Sequence, residues 1–240
     1  MSEKNEFKIT DEVFTIPVLF VFVIWLVYWI EIKFGLNFNK YGVLPRSISG
    51  FRGVFFTHFI HSDTKHLFNN SVPLMVLLMS LLYFYRSVAF KVLIYGGLLT
   101  GIMTWIIGRE SYHIGASGIV YLLFSFVFFS GVVKKHFRLV AMSLITIFLY
   151  GSMIWYVFPI KEGMSWEGHL SGFVTGLLFA FIYRNIGIVK EKYQFTKTDF
   201  DEMFDEEGNY IPPVPNEEEN KDIEIKPFVY KYVYKDSEEE

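Results

Sequence analysis

The sequence predicts an all-α polytopic membrane protein, a bundle of six spans built around a short fourth helix. Two observations carry this reading. Of the 240 residues, 52% are hydrophobic, against roughly 45–50% in soluble domains. The apolar residues also fall in near-continuous runs of span length, which a soluble chain could bury only with little polar surface left over.

The first span is expected over 13–30, where Trp25, Tyr28 and Trp29 suit an aromatic belt at a membrane interface. Residues 1–12 are mixed in charge, and no small-residue cleavage site follows the apolar run. They read as a cytoplasmic tail and not as a signal peptide. A long connection follows, 31–65, with Pro45 and the aromatic-rich stretch 51–59. A loop of this length is expected to be functional or partly embedded. Spans two and three are expected over 66–85 and 88–107, with Arg86 between them. The fourth, 117–133, would be roughly 25 Å long, short of the ~30 Å hydrocarbon core, so its first residue is recessed in a wet depression. The fifth is expected over 139–158 and the sixth over 168–183. Residues 185–240 turn polar, then acidic, with a Pro212-Pro213-Val214-Pro215 run, and read as a largely flexible tail. Apolar alternation returns at 223–234.

Basic residues set the orientation. Arg86, Lys91, Lys134, Lys135, Arg138, Arg184, Lys190 and Lys192 lie on one side; Arg109 and Lys161 occupy the short loops of the other, where the long first loop adds Lys40, Arg46, Arg52 and Lys65. The positive-inside rule then puts both termini in the cytoplasm. The net charge of −3 belongs to the acidic tail and names no partner. No basic cluster with interleaved aromatics points to nucleic acid. With no cysteine, disulfides, zinc–thiolate sites and cysteine nucleophiles are excluded.

Three stretches could carry chemistry. Gly115-Ala116-Ser117-Gly118 opens the fourth span, and a hydroxyl at the mouth of a membrane helix suggests function. His169 opens the sixth span on one face with Gly172 and Gly176. The glycine pair lets another helix backbone approach closely. If that helix is the fourth, His169 lands beside Ser117 and can take its proton. Tyr121, one turn after Ser117, could stack on His169. His66 and Asn70, spaced i,i+4 at the start of the second span, could aim two donors at a developing oxyanion. No Asp or Glu falls within spans two to six, so a Ser–His dyad is favoured over a triad. His58 and His61 read as loop structure, and the role of His113 is open. Without HExxH or an embedded carboxylate, neither a metal nor another cofactor is expected.

Together, the HxxxxHLFNN-type stretch at 61–70, the GxSG box at 115–118 and the GHxxGxxxG box at 168–176 resemble the rhomboid family of intramembrane serine proteases. The resemblance covers residues 13–184, which would form a rhomboid-like membrane protease domain. It implies that Ser117 is the nucleophile and His169 the general base. It implies that His66 and Asn70 form the oxyanion hole with the Ser117 backbone N–H, supported by Tyr121 and by Gly115, Gly118, Gly172 and Gly176. Phe51-Arg52 looks like the family's Trp-Arg pair with Phe in place of Trp. The implied activity is cleavage of single-span membrane proteins within the bilayer of a bacterial inner membrane, with the fifth span and the 161–166 loop as a lateral gate. The alternatives are a catalytically inactive relative that binds or escorts membrane proteins, and a transporter using the same polar depression. Oligomeric state and natural substrate are left open.

Overall fold

The computed structural model describes residues 9–150, 155–160, 163–186, 198 and 200–211. Most of the 1–12 tail, residues 161–162 of the expected gate loop, 212–215 and 223–234 lie outside the described residues. The chain divides into two units, 1–191 and 192–240. In the second, residues 200–211 form a turn. Asp205 accepts hydrogen bonds from Asn209, and the Phe204 ring packs edge-on against both Phe200 and Tyr210.

The first unit is all-helical among the described residues. Its helices are α1 (Asp11–Lys33), α2 (Ile48–Phe51), α3 (Gly53–Phe56), α4 (Thr64–Ile107), α5 (Ser117–Val133), α6 (Phe137–Tyr150) and α7 (Trp166–Ile182). Two of them, α1 and α4, are long and apolar enough to cross a membrane, and α5 is a shorter apolar helix. Helix α1 exposes Phe14, Val18, Leu19, Phe22 and Trp29, and α7 exposes Val174, Leu178, Phe181 and Ile182. Apolar faces of this extent suit lipid and not water.

The second and third expected spans are the two arms of α4, which meet at a kink where a single residue, Tyr85, leaves helical geometry (φ −135°, ψ 34°). No Gly or Pro marks the spot. A straight helix would separate residues 70 and 100 by about 45 Å. Yet the Asn70 amide lies near Gly115, and a Cβ on Gly118 would sit 3.1 Å from Thr100 Cγ2. The arms 64–84 and 86–107 therefore fold back on each other. Tyr85 is buried at the bend, edge-on to Phe126 of α5 and beneath the Lys134 ammonium.

Trp25 and Tyr28, expected at a membrane interface, also tie α1 to α4. Trp25 Nε1–H donates to Ser71 Oγ (2.9 Å), and the Tyr28 hydroxyl lies 3.1 Å from Thr64 Oγ1. The fifth expected span is shorter as a helix. It is described as α6 as far as Tyr150, residues 151–154 lie outside the described residues, and 155–157 form a 3-10 turn.

Helix α5 is the centre. Every residue from Gly118 to Val127 is buried. It packs on α4, α6 and above all α7. The α5–α7 contact is backbone to backbone: a Cβ at Gly172 would overlap the Gly118 carbonyl oxygen, and one at Gly176 the Leu122 carbonyl oxygen. Gly172→Val is therefore expected to destabilise the fold by about 3 kcal/mol, read as a lowered thermal midpoint in detergent. A midpoint equal to wild type would contradict the closeness of this contact.

Candidate active site

Ser117 is the first residue of α5 and is half-buried; His169 lies in the first turn of α7 and is 5% exposed. Because the glycine faces bring the two helix starts together, Ser117 Oγ lies 2.9 Å from His169 Nε2. His169 Nδ1–H donates to the Tyr156 carbonyl (2.8 Å). That bond assigns the ring proton to Nδ1 and leaves a lone pair on Nε2, facing the Ser117 hydroxyl. The Tyr121 ring stacks on the imidazole, 4.3 Å between centroids and 14° from parallel. An imidazole so held can accept the hydroxyl proton.

The donor side faces Gly115. Its φ is +114°, which favours glycine, and a Cβ there would lie 2.7 Å from His66 Nε2. Asn70 is buried, and its Nδ2 has no hydrogen-bond partner. Asn69 is exposed, so Asn70 alone of the pair faces the site. A buried amide donor left unpaired is costly, and an incoming anionic oxygen would relieve it. His66 differs. The Ser62 hydroxyl donates to Asp63, so its oxygen accepts from His66 Nδ1–H (3.2 Å). Nε2 of neutral His66 is then a lone pair, and it becomes a donor only when the ring is protonated.

Four residues left aside or unassigned in the sequence reading hold the loops. His61 is fully buried, edge-on to His66, and its Nε2 accepts from the Ala116 N–H (3.3 Å). Burial, with His66 nearby, pushes its pKa down to about 3. His58 donates from Nε2 to the Gly97 carbonyl (3.2 Å). Burial pushes it down to about 4 against the raising effect of that bond. His113 pairs through its backbone with Val43 in both directions. Its ring lies 2.6 Å from Ser165 Oγ, and burial lowers its pKa. Glu167 directly precedes the expected sixth span, 168–183. It lies in the first turn of α7, buried, and binds Arg109. A capping serine, Ser165, three residues before Gly168 was the available signal for this earlier helix start. So an acid does stand in α7, but His169 Nδ1 bonds a carbonyl and not that acid.

Behind Ser117 lies a small cavity of about 20 Å³ lined by Thr57, His58, Thr100, His113 and Ser165. That is room for a water molecule.

The sequence model of the rhomboid domain matches residues 49–186. The chain belongs to the rhomboid family. An uncharacterized protein of Mycobacterium tuberculosis is 32% identical over 174 residues, covering 68% of this chain and 72% of the relative. One of Mycobacterium leprae is 28% identical over 142 residues, covering 54% of this chain and 55% of the relative. The three stretches that carried the resemblance, 61–70, 115–118 and 168–176, all fall inside the matched region of this membrane-protein family.

The buried imidazoles set a pH window. Unfolded, His58 and His61 titrate near 6.5; folded, at about 4 and about 3. Between those values the unfolded chain binds more protons, so stability rises with pH. The thermal midpoint in detergent is expected to be level above about pH 7 and to fall as pH drops through the window. His58→Gln should flatten part of that slope. A midpoint indifferent to pH between 4 and 6.5 would show that these rings are not held neutral.

Proposed function

We propose that the chain is a six-pass intramembrane serine endopeptidase that cleaves single-span membrane proteins by a Ser117–His169 dyad. The observation that carries this is the 2.9 Å hydrogen bond between Ser117 Oγ and His169 Nε2, with the far side of the ring held by Tyr156 and its face by Tyr121. Family membership supports it, since rhomboid proteins are generally serine proteases.

In this reading Ser117 Oγ attacks the scissile carbonyl carbon as its proton passes to His169 Nε2. The carbonyl oxygen becomes an oxyanion. Asn70 Nδ2 donates to it as it stands, His66 donates only in the form that carries a proton on Nε2, and the free N–H groups at the start of α5 add their dipoles. Protonated His169 then delivers its proton to the leaving amine, and an acyl-enzyme remains on Ser117. A water reaching the depression hydrolyses it, with His169 again as base. No cofactor takes part.

The six passes are α1, the two arms of α4, α5, α6 with the segment after it, and α7. Both termini are cytoplasmic by the count of basic residues, which sets Ser117 near the outer face of a bacterial inner membrane. A substrate helix hides its backbone in its own hydrogen bonds, so it must unwind before Ser117 can attack. Glycine and proline near the cut lower that cost.

A fluorophosphonate probe should label the purified protein and fail to label Ser117→Ala and His169→Ala. Asn70→Ala should lower kcat for a transmembrane reporter about 10²- to 10³-fold. Wild-type protein that neither labels nor cleaves would overturn the protease reading and favour a membrane-protein binder.

A further inference from the structure

The start of α7 is held to the loop before α5 by a polar cluster that the proposed chemistry does not use. Glu167 is 1% exposed and His113 3%. Arg109 donates its backbone N–H to Glu167 Oε1 (3.2 Å) and its Nη1 to both carboxylate oxygens (3.4 Å each). Arg109 Nη2 donates to the Met164 carbonyl (2.6 Å). His113 Nε2–H donates to the Arg109 carbonyl (3.1 Å), while its Nδ1 accepts from Ser165 Oγ–H (2.6 Å). Ser165 in turn caps α7 through the Gly168 N–H. The carboxylate lies 3.9 Å from the His113 ring.

Glu167 stands two residues before His169, and His113 four before Ser117. One cluster therefore grips both helix starts. The glycine contact between α5 and α7 limits rotation by sterics, since any other residue turned toward α5 would overlap its backbone. It carries no directional bond at the two helix starts, where the reacting side chains sit. Rotating α7 by one residue turns His169 by ~100° and removes it from Ser117. Directional hydrogen bonds resist that rotation. Glu167 is buried but the Arg109 side chain is 42% exposed, and so lopsided a pair is a poor source of net stability; conformational specificity is the better reason to keep it.

We propose that Glu167, with Arg109 and His113, is a positioning cluster that sets the register of His169 against Ser117. The proposal rests on the reading of those two residues as the reacting pair.

The test compares wild type, Ser117→Ala, Glu167→Gln and the double variant Arg109→Met/Glu167→Leu. The double variant removes both charges together, so no unpaired charge is left buried at residue 167. Thermal midpoint, fluorophosphonate labelling rate, kcat and KM for a transmembrane reporter are measured. The His169 Nδ1–H proton resonance is followed in protein carrying isotope-labelled histidine. Positioning predicts a midpoint near wild type, labelling and kcat lowered about tenfold or more, KM within about twofold, and a shifted or broadened resonance. Wild-type labelling with an unchanged resonance in the stable double variant would overturn it. If the double variant does not fold, Glu167→Gln carries the same outcomes. If wild type itself labels no faster than Ser117→Ala, the protease reading has failed and the resonance alone decides. An unchanged resonance overturns the positioning role; a shifted one upholds it.

Discussion

The structure depends on how closely α5 and α7 can approach. Two helices bearing ordinary side chains pack with their axes about 8–10 Å apart, and small residues at the contact let them come nearer. Here the Gly172 and Gly176 faces rest on the Gly118 and Leu122 carbonyls. That approach lets a serine at the start of one helix and a histidine at the start of the next share a hydrogen bond without either side chain being stretched. It also accounts for the burial of α5. A helix approached this closely by α7, and flanked by α4 and α6, has little surface left for lipid.

Polar groups at the same end of the bundle follow from that geometry. The loop feeding α5 buries part of its backbone among His58, His113 and Ser165, and a buried N–H or carbonyl left unmatched is expensive. Histidines meet the need because a neutral imidazole is donor and acceptor at once. His61 takes the Ala116 N–H, His58 serves the Gly97 carbonyl, and His113 spans Arg109 and Ser165. The Asn70 amide beside Gly115 is unpartnered, and so are His58 Nδ1, His61 Nδ1 and Thr100 Oγ1 at the same end. The same economy explains the bend at Tyr85. Its buried ring is held by Phe126 and covered by Lys134, so the turn is made by packing and needs no glycine or proline.

The helical class and the grouping of the site were legible in sequence, but for different reasons. Apolar runs survive any tertiary arrangement, so the expected spans 13–30, 117–133 and 168–183 lie within two or three residues of α1, α5 and α7. Ser117, His169 and Tyr121 could be paired in advance because a glycine stripe beside a histidine constrains which helix can approach. The polar ties could not be read this way. Glu167 looks like an ordinary loop acid until α7 is seen to begin at Trp166, and His61 looks like loop filler until Ala116 is found above it. The hydrogen bonds by which Trp25 and Tyr28 link α1 to α4 could not be read from the sequence either.

Taken alone, the order of residues determined which segments are apolar helices, which small residues permit close contact, and which side chains have the chemistry to react. Those properties depend on local composition and spacing. Only the tertiary structure decided the direction of each hydrogen bond: the proton on His169 Nδ1, the lone pair on His66 Nε2, and the grip of Glu167 on Arg109. Each depends on a partner distant in the chain, and a one-residue rotation of a helix, invisible in its composition, would redirect them all.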